Sequence, residues 1–109
     1  MGDMLAQQII DEIVRRILKV SKPRRIILFG SAATGAMSHD SDIDLLVIKR
    51  GLIDTLSESV KIRKALKGMG YAFDIIVMDE DRFEERKAVV GTICYPAAKY
   101  GRTLYDQAA

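Results

Sequence analysis

Ile26-Ile27-Leu28-Phe29-Gly30-Ser31 and, after the ten residues 32–41, Asp42-Ile43-Asp44-Leu45-Leu46-Val47-Ile48 decide how this chain reads. The first run sets four large apolar residues in a row and stops at glycine, as a short strand buried on both faces does. Gly30 permits a tight turn and a close backbone approach to a ligand. Ser31 is a good N-cap for a helical turn, whose N–H groups and partial positive charge suit phosphate. Taken alone, this is an ordinary capped turn. The second run is another strand, but it is entered through two aspartates, which strands disfavour. A period of two puts Asp42 and Asp44 on one face, roughly 6–7 Å apart, with Ile43 and Leu45 on the other. Strand-entry aspartates can be solvated or act as caps; otherwise such a pair repels unless a cation lies between. Mg2+ favours carboxylate oxygens combined with substrate phosphates.

Working outward, residues 4–19 read as an amphipathic helix, with Leu5, Ile9, Ile10, Ile13, Val14, Ile17 and Leu18 on one stripe and Pro23 as a stop. Residues 54–68 read as a second helix with a broad apolar stripe, capped by Asp54 and stopped by Gly68 and Gly70. Tyr71–Met78 is a third strand, and the short glycine connection predicts that it lies beside one of the first two. A last helix begins at Asp79 or Asp81, with Val89, Val90, Ile93, Cys94 and Ala97 as its inner face; Pro96 interrupts or kinks it and Gly101 ends it. Arg102–Tyr105 forms a short edge strand. The order predicts an α/β (α+β) fold, a small mixed sheet flanked by helices.

The third strand carries Asp74 inside Tyr71-Ala72-Phe73-Asp74-Ile75-Ile76-Val77. A charge in an apolar strand needs a partner. Either it pairs with a lysine or arginine, or it faces the acidic pair from a neighbouring strand and shares a cation with it; the second fits better. Three carboxylates from two strands suit two divalent ions roughly 3.5–4 Å apart, an arrangement that serves phosphoryl transfer. Two other motifs fail. A calcium loop starting at Asp40 would need Gly where Leu45 stands and Glu where Gly51 stands. No Gly-Lys-Ser/Thr follows Gly30-Ser31 as a P-loop requires.

The chain has 109 residues, which fits one domain, 1–109. It is 49% hydrophobic and 29% charged, with no apolar run long enough to span a membrane and no signal-peptide pattern at the start. A lone cysteine, Cys94, forms no internal disulfide, which points to the cytoplasm. A net charge of +2 does not announce direct DNA binding. Lys19, Lys22, Arg24 and Arg25 are the nearest thing to a basic cluster. They read as a solvated helix end, with a cationic rim to a polyphosphate site as the alternative. His39 reads as a surface loop residue and Cys94 as core packing. Tyr95, Tyr100 and Tyr105 are either a partner-facing patch or a lid on the core.

Leu28-Phe29-Gly30-Ser31, residues 32–41 and Asp42-Ile43-Asp44-Leu45 together resemble the signature of the nucleotidyltransferase superfamily that includes DNA polymerase β. Phe73-Asp74-Ile75 resembles its third element. The resemblance implies that Gly30 and Ser31 hold the NTP phosphates. It implies that Asp42, Asp44 and Asp74 are catalytic and bind metal, two Mg2+ ions in all, and that Asp74 helps deprotonate the attacking hydroxyl. The size and Tyr100-Gly101-Arg102-Thr103-Leu104-Tyr105 resemble the minimal nucleotidyltransferases, which pair with HEPN-domain RNase toxins. Such antitoxins move AMP from ATP onto a toxin tyrosine. Many relatives carry an arginine soon after Gly-Ser; here the residues are Ala32-Ala33-Thr34-Gly35, without that phosphate contact. Two other functions are a small-molecule nucleotidyltransferase, which in so short a chain would need a homodimer, and a non-catalytic module that neutralises a toxin by contact. The intact Asp42, Asp44 and Asp74 argue against the last.

Overall fold

In the computed structural model, which describes residues 5–35, 42–51 and 54–108, the elements run α1 (Gln7–Val20), β1 (Arg25–Phe29), α2 (Ser31–Thr34), β2 (Ile43–Lys49), α3 (Thr55–Ala65), β3 (Phe73–Asp79), α4 (Glu80–Arg86), α5 (Cys94–Tyr100) and β4 (Arg102–Asp106). Residues 36–41, with His39, lie outside the described residues. Four strands form one sheet in the order β3-β2-β1-β4. β1 pairs antiparallel with both β2 and β4, while β3 joins β2 in parallel. A parallel neighbour requires a crossover, and α3 supplies it. The third strand thus lies beside β2, and the edge strand predicted at Arg102–Tyr105 is β4.

The alternation of side chains splits the core in two. Ile26 and Leu28 of β1, Ile43, Leu45 and Val47 of β2, and Ile75 and Val77 of β3 face α1 and α3, where Ile13, Ile17, Ile62 and Leu66 close the layer. Ile27, Phe29, Leu46 and Ile48 face the other way, onto Phe83 of α4 and Cys94 and Ala97 of α5. Both faces of β1 and β2 are therefore covered, which explains their nearly unbroken apolar runs.

Three expectations need correcting. The last helix is two short ones, α4 and α5, separated by residues 87–93. Val89, Val90 and Ile93 are not its inner face: they are 48%, 77% and 38% exposed, and only Cys94 and Ala97 are buried. The chain breaks at Gly91, whose φ of 99° lies in the left-handed region. Pro96, in the first turn of α5, costs no hydrogen bond there. The stripe of α3 is narrow rather than broad: Leu56 and Val60 are exposed, and the buried positions are Glu58 and Ile62. Its cap is as predicted, the Asp54 carboxylate accepting from Ser57 N–H at 2.9 Å. In α1 the fully buried stripe is Ile10, Ile13 and Ile17, with Leu5 and Ile9 packed partly buried against the core as expected and Leu18 exposed.

Candidate active site

β1 ends in Phe29 and hands the chain to Gly30 at φ 71° and ψ −153°, backbone that only glycine adopts readily. Steric demand compounds this. A Cβ at Gly30 would land on an Asp44 carboxylate oxygen, with Asp44 Cγ only 3.3 Å off. Asp44 pairs with Phe29 in the antiparallel register, so its carboxylate lies over the turn. Gly30 and Asp44 are thus matched: the missing side chain of one makes room for the charge of the other. α2, a single turn, carries only a small dipole. Any phosphate contact here would come from local N–H groups and the Ser31 hydroxyl, not from a long helix.

The parallel register pairs Asp44 directly with Asp74, and Ile43 N–H donates to Ala72 C=O at 2.8 Å to hold it. Paired residues in adjacent strands put their side chains on the same face. Asp74 therefore stands on the side of Asp44, with Ile76 and Met78 following it on that face against the Phe83 cluster. Asp42, two residues before Asp44, belongs to the same side by alternation. At this end of the sheet Asp42 and Asp74 are exposed while Asp44 is half-buried. Asp44 registers the crowding. Burial pushes its carboxyl above the usual range, and the charges of Asp74 and then Asp42 push it further. No lysine or arginine contributes to that balance, and Asp74 has no ion pair among the described residues.

An acidic face with no counter-charge among the described residues fits a divalent cation. Among the described residues no three His, Cys, Asp or Glu side chains are drawn together into a preformed cage. Mg2+ does not require one, because it uses one or two carboxylates and completes its octahedron with water and substrate phosphates.

The basic residues lie elsewhere. Arg25 pairs with Ile48 at the opposite end of β2, about 13 Å of strand from Asp44 at about 3.3 Å per residue. Arg24 binds Glu80 at 2.9 Å, and Arg25 lies 5.6 Å over the Phe83 ring. Lys19 occupies the last turn of α1. The cationic-rim alternative is therefore excluded for Arg24 and Arg25, and the solvated helix end holds only for the exposed Lys19 and Lys22, since Arg24 and Arg25 are partly buried and paired. The tyrosines divide. Tyr105 packs against the core, whereas Tyr95 and Tyr100 share Lys99, whose ammonium is 5.4 Å from each ring.

The sequence matches the family model described as "Polymerase beta, Nucleotidyltransferase" over residues 10–108. It is 35% identical over 72 residues, 64% of this chain and 72% of the other, to a Methanocaldococcus jannaschii protein provisionally named a protein adenylyltransferase. The fold superposes on a toxin–antitoxin crystal structure with AMP-PNP at a TM-score of 0.69 and 20% identity, covering 89% of this chain and 73% of that one. It also superposes on a complex of tri-AMPylated Shewanella oneidensis HEPN toxin with MNT antitoxin, at a TM-score of 0.60 and 18% identity, covering 94% and 75%.

Proposed function

The chain belongs to the polymerase beta nucleotidyltransferase family, and from that premise we propose that it is a single-domain, cytoplasmic antitoxin that transfers AMP from ATP to a tyrosine hydroxyl of a HEPN toxin. The observation that carries this reading is the placement of Asp42, Asp44 and Asp74 on one side of the sheet, with Asp44 seated over Gly30. The AMP-PNP and the AMPylated toxin of the structural neighbours favour ATP and a protein acceptor. The buried free Cys94 agrees with a reducing compartment, and no described helix is long and apolar enough to cross a membrane.

In this mechanism the Gly30-Ser31 turn and the acidic face orient the triphosphate for in-line attack. The acceptor oxygen bonds to the α-phosphorus as the bond to the β-phosphate bridging oxygen breaks, and pyrophosphate leaves with that electron pair. Asp74, the more exposed neighbour of Asp44, takes the acceptor proton. Mg2+, held by Asp42, Asp44 and Asp74, would neutralise the triphosphate and the departing pyrophosphate. Label from α-labelled ATP should pass to a co-purified HEPN partner only with Mg2+ present. The Asp42→Ala/Asp44→Ala variant should lose at least a hundredfold in rate, since it removes electrostatic stabilisation of the transition state. Full toxin neutralisation by that variant would favour contact alone and refute the catalytic reading.

A further inference from the structure

On the α3 side of the sheet, across the β3 edge from the acidic face, the end of α3 and the start of β3 enclose a groove of about 480 Å³. Val60, Tyr71 and Phe73 give it an apolar floor, with Val60 43% and Tyr71 39% exposed. Arg63, Lys64 and Lys67 line it, and no carboxylate among the described residues does. None of the three cations has an ion pair among the described residues. The groove is braced from behind: the Arg16 guanidinium donates to the carbonyl of Ala65, the last residue of α3, at 3.3 Å and to that of Lys67 just beyond it at 3.0 Å. An exposed aromatic floor rimmed by one sign of charge is complementary to an anionic chain with an apolar anchor.

Charge also gives the groove a direction. Its cations stand at the α3 end, while Asp74 follows the lining residue Phe73 at the other end, on β3, the edge strand of the sheet. A chain leaving the groove passes over that edge to reach the acidic face. Acidic residues on the chain are attracted at the α3 end and repelled at the Asp74 end, which leaves the neutral hydroxyl end to arrive beside the carboxylates. We propose that this groove seats an acidic, tyrosine-bearing segment of the partner protein and delivers its hydroxyl to the acidic face. The proposal rests on the protein-acceptor reading above.

Binding tests it independently of catalysis. The probes are a fluorescent glutamate-rich peptide with one tyrosine and its lysine-rich counterpart, titrated with the full chain by anisotropy. The wild-type protein binds the acidic peptide and not the basic one, and binding weakens as salt rises to about 0.3 M. Arg63→Glu/Lys64→Glu weakens it at least tenfold. The milder Arg63→Gln/Lys64→Gln pair, which spares the helix end, weakens it severalfold with an unchanged melting curve. Asp42→Ala/Asp44→Ala keeps or tightens binding although it slows AMP transfer at least a hundredfold. Equal binding of both peptides, or unchanged affinity in both Arg63/Lys64 variants, overturns the groove. If wild-type chain transfers no AMP yet binds as described, the groove stands and the catalytic reading falls.

Discussion

Replacing Gly30 by alanine tests the geometry on which the site depends. Two penalties combine. The backbone at φ 71° and ψ −153° lies in a region reserved for glycine, where an alanine costs about 1–3 kcal/mol. The new methyl also meets the Asp44 carboxylate, which must leave its rotamer at a cost of about 0.5–1.5 kcal/mol. The sum, about 1.5–4.5 kcal/mol, lowers the melting temperature by roughly 6 °C or more in a domain of this size. Urea unfolding followed by circular dichroism measures it. Asp44→Ala separates the two parts. By itself it relieves the repulsion from Asp74 and Asp42 and leaves stability unchanged or slightly raised. In the Gly30→Ala/Asp44→Ala protein only the backbone cost remains, so the double variant is more stable than the singles sum to, by about 0.5–1.5 kcal/mol. Additivity within about 0.3 kcal/mol, the ordinary scatter for independent sites, would show that Asp44 does not lie over Gly30, and the account of the turn would fall with it.

Two further outcomes follow from the packing. Glu58, buried between Ser21, Lys49 and Lys61, accepts at 2.7, 2.6 and 2.8 Å; burial pushes its carboxyl up, but these three donors outweigh that and bring it down to about 2. Its stabilisation is therefore complete above the ordinary carboxylate value of 4.5 and is lost as pH falls from there towards about 2. Glu58→Gln should cost about 2 kcal/mol at neutral pH, allowing for the exposed Lys61, and converge on wild type in acid unfolding series. Phe83→Ala should cost about 3–5 kcal/mol in denaturant unfolding, because its ring fills the second core layer, yet leave ATP affinity intact.

Most of the sheet was legible because β1 and β2 are covered on both faces, which forces continuous apolar runs, and because glycines punctuate their ends. The pattern misled where helical spacing arose without burial. Val89, Val90 and Ile93 line up with Cys94 and Ala97, and the signal against a helix was Gly91, a positive-φ residue in mid-pattern. Phe83 was overlooked for the opposite reason. It stands alone in Glu80-Asp81-Arg82-Phe83-Glu84-Glu85-Arg86, where a short helix needs only one apolar contact to anchor it. Glu58 gave no sign of burial because its partners, Ser21 and Lys49, come from other elements.

For the site, residue identity was legible and register was not. Asp42 and Asp44 share a face by local alternation, whereas Asp74 reaches them only if β3 runs parallel to β2 in one register. A slip of one residue would turn Asp74 towards α3 and Ile75 towards the acidic face. What fixes the register is apolar: Ile75 and Val77 must join Ile43, Leu45 and Val47 under α1 and α3, while Ile76 and Met78 must meet Phe83 and Cys94. The core thus selects the alignment that sets Asp74 beside Asp44, although burial first, and then the charges of Asp74 and Asp42, push the Asp44 carboxyl up. Like charges held together by packing lie on a face that a cation would stabilise, so a divalent ion should bind more tightly to the folded chain than to any variant in which Ile75 or Val77 no longer anchors β3.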